Sequence, residues 1–369
     1  MQEADFIGSN RGPLLESLLR GGRATGAMNL GGIGRMLSSD LAVDLGTANT
    51  RLFVRGQGVL LDEPSVVAVD MSGAVQAVGN EAKAMLGRAP GSVQVVRPLR
   101  HGVIADFDRT QKMFRYFINK TRRRWSVMQP RLVIVTPSGI TQVERRAVRD
   151  AARQAGAREV YLIQASMAAA LGAGLPVDQP GASMIVDIGG GTTEVAVMSL
   201  CGVVYCESLR TAGDDMNQSI IQFLRRSYDL LVGERRAEEA KIRLGSAYPK
   251  GDDNEGMEVQ GRDLLDGLPK TVAVTALEVR EAMREPVADI VLAVRACLEK
   301  TPPELAADIT DNGIVLTGGG ALLRGLDALL HQETGLPIRV SEDPLTCVAR
   351  GAGMVLDQLD ILKRVAIPA

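Results

Sequence analysis

Two stretches of this sequence carry the residue types of a turn that can hold an anion beside a carboxylate that can hold a cation. Asp44-Leu-Gly-Thr-Ala-Asn-Thr-Arg-Leu-Phe-Val54 aligns without a gap to Asp187-Ile-Gly-Gly-Gly-Thr-Thr-Glu-Val-Ala-Val197, 143 positions later. The aspartate, the first glycine, the second threonine and the last valine coincide. Small residues at Gly46, Ala48, Gly189, Gly190 and Gly191 let backbone N–H groups approach an anion closely. Thr47, Asn49, Thr192 and Thr193 add hydroxyl and amide donors. Mg²⁺ keeps several waters and needs few carboxylates, so Asp44 and Asp187 together suffice for it. A third turn, Thr317-Gly318-Gly319-Gly320-Ala321, offers bare backbone on which a flat purine or ribose can lie. One such turn alone is an ordinary hairpin. Two copies followed by the triple glycine point to a nucleotide.

These turns need strands on both sides, and the pattern supplies them. Leu41–Asp44 and Arg51–Val54 flank the first turn, and Met184–Asp187 and Glu194–Met198 the second. Ser65–Val69, Arg131–Val135 and Val160–Ile163 read as further strands. Between the last two, Ile140, Val143, Ala147, Val148, Ala151, Ala152 and Ala155 recur at helical spacing, with Thr141 and Glu144 placed for a capping box. Ala165–Ala173 reads as the next helix. Alternating strands and helices predict an α/β fold with mostly parallel sheets, and the internal repeat predicts two similar lobes facing each other.

Composition narrows the classes. The 369 residues are 46% apolar and suggest two domains or one large divided one. With 42 basic against 44 acidic residues, no footprint for wholesale nucleic-acid binding is present. Cys201, Cys206, Cys297 and Cys347 form no CxxC pair and read as buried thiols. His101 and His331 are too few for an HExxH zinc site and read as structural and surface residues. Phosphate-loop, GxGxxG and GxSxG fingerprints are missing, which removes P-loop NTPases, ordinary dinucleotide enzymes and α/β-hydrolases. The uncharged run Val160–Val177 has the length of a membrane span, but Gln164, Ser166, Pro176 and its many small residues predict a tightly packed core helix instead.

At this point the sequence resembles the actin-like ATPase superfamily and, within it, the MreB family of bacterial actins. The strings that carry the resemblance are DLGTANT (44–50), GVIADF (102–107), TQVERRAVRDAA (141–152), GAREVYLI (156–163), DIGGGTTEVAV (187–197), PPELAADI (302–309), LTGGGALLRGLD (316–327) and EDPLTCVARGAG (342–353). It is nearly colinear from Ser39 to about Leu359. The resemblance implies an actin-like ATPase fold with subdomains IA, IB, IIA and IIB around a nucleotide cleft. Lobe I would span 39–175, with IB about 71–99 and residues 343–369 returning to it. Lobe II would span 176–342, with IIB about 214–275. It implies ATP and Mg²⁺ as ligands, self-assembly into paired filaments, and a cytoplasmic place on the inner face of the cytoplasmic membrane. There, with the cell-elongation machinery, the filaments would guide lateral cell-wall (peptidoglycan) synthesis and maintain rod shape. Glu238 and Lys241, i,i+3 neighbours on one helical face, would contact ribose and adenine, and Gly318–Gly320 would complete the base pocket.

One departure concerns catalysis. The family usually has Glu-Glu-Pro after the strand at Val160–Ile163, where this chain has Gln164-Ala165-Ser166. Glutamine cannot act as a general base, but its amide can orient a water, and phosphoryl transfer depends mostly on positioning and electrostatics. The expectation is slow hydrolysis with Gln164 orienting water; the alternative is a filament scaffold that does not hydrolyse. A small-molecule kinase would need an acceptor site that the matching strings leave no room for, and a chaperone would need a substrate-binding domain after the last matching segment. Membrane contact has two candidates. Trp125, Val127 and Met128 follow Arg122-Arg-Arg, which suits an anionic interface. Within the Gly- and Arg-rich residues 1–38, leucines at 14, 15, 18 and 19 suit either an induced amphipathic helix or a loose tail ahead of a start at Met28.

Overall fold

The computed structural model describes residues 40–121, 129–249, 251 and 253–367. The 1–38 extension and Trp125, Val127 and Met128 lie outside them. The first lobe opens with β1 (Leu41–Leu45), β2 (Asn49–Val54) and β3 (Gly58–Pro64). A small sheet of β4 (Val67–Asp70), β5 (Val75–Val78) and β6 (Val93–Val96) follows, with α1 (Asn80–Met85) packed on it through Ala82. The short ladder of β7 (Leu99–Arg100) and β8 (Val103–Ile104) leads into α2 (Phe107–Thr121). The main sheet is then completed by β9 (Arg131–Thr136), α3 (Gln142–Gln154) and β10 (Glu159–Gln164) in the order β10-β9-β1-β2-β3. At the start of α3 the Thr141 hydroxyl accepts from Glu144 N at 3.2 Å and the Glu144 carboxylate accepts from Thr141 N at 2.8 Å, so the capping box is formed.

After α4 (Ala165–Gly172) the plan repeats. The strands β11 (Ser183–Ile188), β12 (Thr193–Ser199) and β13 (Gly202–Leu209) lead to α5 (Gly213–Tyr228), β14 (Leu230–Leu231) and α6 (Glu234–Leu244). A small sheet is made by β14, β15 (Gly256–Asp263) and β16 (Pro269–Thr275). Next come α7 (Ala276–Ala282), α8 (Arg284–Glu299), α9 (Pro303–Asn312), β17 (Ile314–Thr317), a 3₁₀ turn at Gly319–Leu322, α10 (Leu326–Thr334) and β18 (Ile338–Val340). The second main sheet has the order β13-β12-β11-β17-β18. In each lobe the central strand pairs antiparallel with the strand after the aspartate turn and parallel with a later strand. The two sheets are therefore copies of one topology.

The chain then returns to the first lobe through α11 (Cys347–Asp357) and α12 (Leu359–Val365). Each lobe has its own core, and a third core joins them. It combines Ala42 and Val133 of the first sheet with Ile185, Ala196 and Val315 of the second. Met167–Leu171 of α4 and Val348, Ala352 and Val355 of α11 lie between. The two helices touch backbone to backbone: a Cβ on Gly172 would fall 1.9 Å from the Cys347 carbonyl oxygen, and one on Gly351 1.8 Å from that of Ala168. This contact explains the small residues in the uncharged run. No helix among the described residues is long and apolar enough to cross a membrane.

Candidate functional site: a cleft between two aspartate turns

The turns linking β1 to β2 and β11 to β12 face each other across a cavity of about 530 Å³, a size suited to a small-molecule ligand. Its lining includes Asp44, Gly46, Thr47, Ala48 and Asn49 from one side and Asp187, Gly189, Gly190, Gly191 and Thr192 from the other. Glu238 and Lys241 of α6 and Gly318, Gly319 and Gly320 line it as well. Ala165 reaches the cavity, whereas Gln164 and Thr193 are not on its lining. Gln164 is half-buried at the end of β10, at the N-cap of α4, and its side chain does not cap that helix. Thr193 is buried, and its hydroxyl donates to the Thr211 carbonyl at 2.8 Å. Thr50, its counterpart in the repeat, likewise spends its hydroxyl within the fold, on Ser65 Oγ at 2.8 Å.

Each turn is held from outside. The hydroxyl of Ser65 donates to the Gly46 carbonyl at 2.6 Å, and Gly102 N donates to Thr47 Oγ1 at 2.8 Å. On the other side Gly213 N and Asp214 N donate to the carbonyls of Gly189 and Gly190 at 3.2 and 2.7 Å. The glycines of the second turn make room for the first. A Cβ on Gly190 would lie 2.6 Å from that of Ala48, and one on Gly191 would lie 2.6 Å from Thr47 Oγ1. Gly318, at φ +79°, and Gly320 are needed for their approach to Asp187 and Ile188, which leaves Gly319 as the residue of the triple where a Cβ would make only an ordinary contact, 3.6 Å from Leu345.

The electrostatics are uneven. Arg51 Nη1 stands 3.7 Å from Asp44 Oδ2, and Arg51 Nε stands 3.1 Å from Asp62 Oδ2. Enclosure pushes the Asp44 carboxyl up to about 6, with Arg51 pulling the other way. Enclosure pushes Asp187 further, to about 8, and the charges of Asp44 and Glu194 add to it. Two hard oxygen donors that burden each other in this way fit a hydrated divalent cation between them. Lys241, whose Nζ donates to the Gly213 carbonyl at 2.7 Å, is lowered by burial. At the mouth, Lys83 of α1 stands 3.5 Å from Glu238, and Arg97 stands 2.5 Å from Glu234.

Sequence reasoning missed Arg51, Asp62, Lys83 and Asp214, all on the lining. For Arg51 a signal existed: the gapless repeat sets it opposite Glu194, so the two turns carry opposite charges at the same position.

Known proteins agree with this architecture. The family model described as MreB/Mbl protein matches residues 38–364. The cell shape-determining protein MreB of Escherichia coli (strain K12) is 55% identical over 333 residues, covering 88% of this chain and 95% of that protein. The cell shape-determining protein Mbl of Bacillus subtilis (strain 168) is 48% identical over 330 residues, covering 89% and 99%. The crystal structure of MreB 5 of Spiroplasma citri bound to AMPPNP superposes with a TM-score of 0.83 at 34% identity, covering 88% of this chain and 97% of that one. With its repeated sheets, its paired aspartate turns and these relatives, the chain belongs to the MreB/Mbl family of actin-like proteins.

Proposed function

We propose that this chain binds Mg-ATP in the cleft, polymerises with itself, and works as a cell shape-determining bacterial actin. The observation that carries the reading is the single cavity lined by both aspartate turns, the Glu238–Lys241 face of α6 and the triple glycine. The Spiroplasma protein, whose fold this chain shares, has been crystallised with AMPPNP and with ADP. In our reading the two turns offer backbone N–H groups, with the Thr47 and Thr192 hydroxyls, to the phosphates. Glu238 and Lys241 hold the ribose and base, with Gly318–Gly320 beneath. Asp44 and Asp187 hold Mg²⁺ through water, which when bound neutralises phosphate charge. Gln164 orients the attacking water at the first turn of α4, and its amide is free of any capping duty there. With a glutamine that orients water and takes no proton from it, the hydrolysis is slow in this reading.

We place lobe I at 39–175 with 343–369 returning to it, and lobe II at 176–342; the packing of α11 on α4 supports the return. ATP bridging the lobes favours one relative orientation, a population shift that couples nucleotide to assembly. We assign the filaments to the inner face of the cytoplasmic membrane, with contact through Trp125, Val127 and Met128 and with the cell-elongation machinery as partner. The test is phosphate release from Mg-ATP with anionic liposomes, at concentrations where the protein pellets, for wild type and Gln164→Ala. Release that collapses in the variant supports a slow ATPase. Pelleting with ATP but no release from wild type makes the chain a nucleotide-gated scaffold.

A further inference from the structure

Glu194 is a charged side chain with 1% exposure, buried in β12 where an apolar residue would serve the sheet. In register it faces Asp187 on one side and Ser208 on the other. Its carboxylate is held by neutral donors. Ser138 N donates to one oxygen at 2.5 Å; Ser138 Oγ and Ser166 N donate to the other at 2.9 and 3.1 Å. Ser138 follows β9, and Ser166 lies in the first turn of α4, so the bonds from these two residues reach Glu194 from the opposite lobe.

The Ser166 N–H is one of the helix-start donors that have no partner within their own helix. Here its acceptor comes from across the molecule, and a carboxylate is the charge that a helix start favours. Two residues before Ser166 stands Gln164. The corner that carries Gln164 is thus tied by hydrogen bonds to the strand that leaves the Asp187 turn, beside the apolar packing of α4 in the core shared by the two sheets. Charge-assisted bonds of this length are lost when donor and acceptor part by about 1 Å.

We propose that Glu194 is a positioning residue that clamps the β10–α4 corner of lobe I to β12 of lobe II and thereby sets where Gln164 stands relative to the phosphate turns. The proposal rests on the hydrolytic reading of the cleft. Glu194 touches no substrate in it; it fixes the geometry of the residue that orients water. A misplacement of about 1 Å at a reacting centre can cost about a hundredfold in rate.

The test uses the full chain and two measurements. Glu194→Gln keeps the shape but offers one acceptor oxygen to two backbone N–H groups that cannot turn away. Phosphate release should fall about tenfold or more in kcat, with KM for ATP within about threefold. Ser166→Pro removes that N–H together with the hydroxyl that meets Ser138 Oγ at 3.2 Å, in a first helical turn that tolerates proline, and should lower kcat in the same sense. In nucleotide-free protein, the Ser166 amide should lose its protection from hydrogen exchange in Glu194→Gln, while β1, β11 and α11 keep theirs. Wild-type kcat in Glu194→Gln, a rise in KM alone, or an unchanged Ser166 amide would overturn the proposal. Should wild type release no phosphate, the hydrolytic reading is what fails, and the exchange experiment alone decides the clamp.

Discussion

The two aspartate turns share a backbone and differ in what they carry. In the first, Asp44 pairs in register with Arg51, and the turn bears the side chains of Thr47, Ala48 and Asn49. In the second, Asp187 pairs with Glu194, and the turn is stripped to Gly189, Gly190 and Gly191. Burial raises both carboxyls; the Arg51 cation holds the first to about 6, whereas the charges of Asp44 and Glu194 help to lift the second to about 8. The first turn therefore meets a ligand already charged, and the second gives up a proton when a cation arrives. Bulk divides in the same way: one turn fills the space that the other vacates. A duplicated unit has become two complementary halves through a few side chains, with the strand plan untouched.

The sharpest break of this complementarity is steric. Gly190→Thr drives a side chain into Ala48; overpacking of about 1–3 kcal/mol should weaken ATP binding by about tenfold to a hundredfold, read by titration calorimetry. Pairing Gly190→Ala with Ala48→Gly should recover most of the affinity. Next comes charge. Without Arg51 the Asp44 carboxyl rises further, so Arg51→Ala should bind Mg-ATP about tenfold more weakly at pH 6 than at pH 8, a steeper dependence than in wild type.

A third effect concerns stability in the absence of nucleotide. Asp187 keeps its proton to about pH 8 in the folded protein, against 3.8 as its ordinary value. The native state then binds more protons between these limits, so this contribution is full below about pH 4 and is lost as pH rises through about 8. Thermal unfolding should show the decline in wild type, and Asp187→Asn should flatten it by about 1 kcal/mol or more. The smallest effect is expected at the mouth. Lys83 and Glu238 are 42% and 34% exposed, so Lys83→Ala should cost no more than about 0.5 kcal/mol and change ATP affinity less than about twofold.

The turns, their strands and the helix after β9 are legible in the sequence because each is a local pattern: a gapless repeat, an alternation, a capping box. The repeat even announces the matching sheets, whose strand orders agree one to one. Long-range pairings leave no such mark. Glu194 meets residues 56 and 28 positions away, through backbone N–H groups that every residue but proline possesses. Lys83 and Arg97 of lobe I meet Glu238 and Glu234 of α6 across a sequence distance that no local pattern spans. Thr193 misled for the opposite reason: its residue type suits a phosphate, but strand alternation turns it inward to Thr211. The triple glycine is legible as a site element, yet two of its members are required by strand packing rather than by a ligand.

The crossing of α4 and α11 sets an order of events. Synthesis delivers every strand of the second sheet before it delivers α11, which the core shared with the first sheet requires. The edge of β10 waits equally long, since Leu162 O accepts from Ile367 N at 2.8 Å. Contacts this distant in sequence form late and slowly. The half that is begun first is therefore the half that is finished last. A chain still on the ribosome has one completed wall of its cleft and an opposing wall that still lacks the helix behind it.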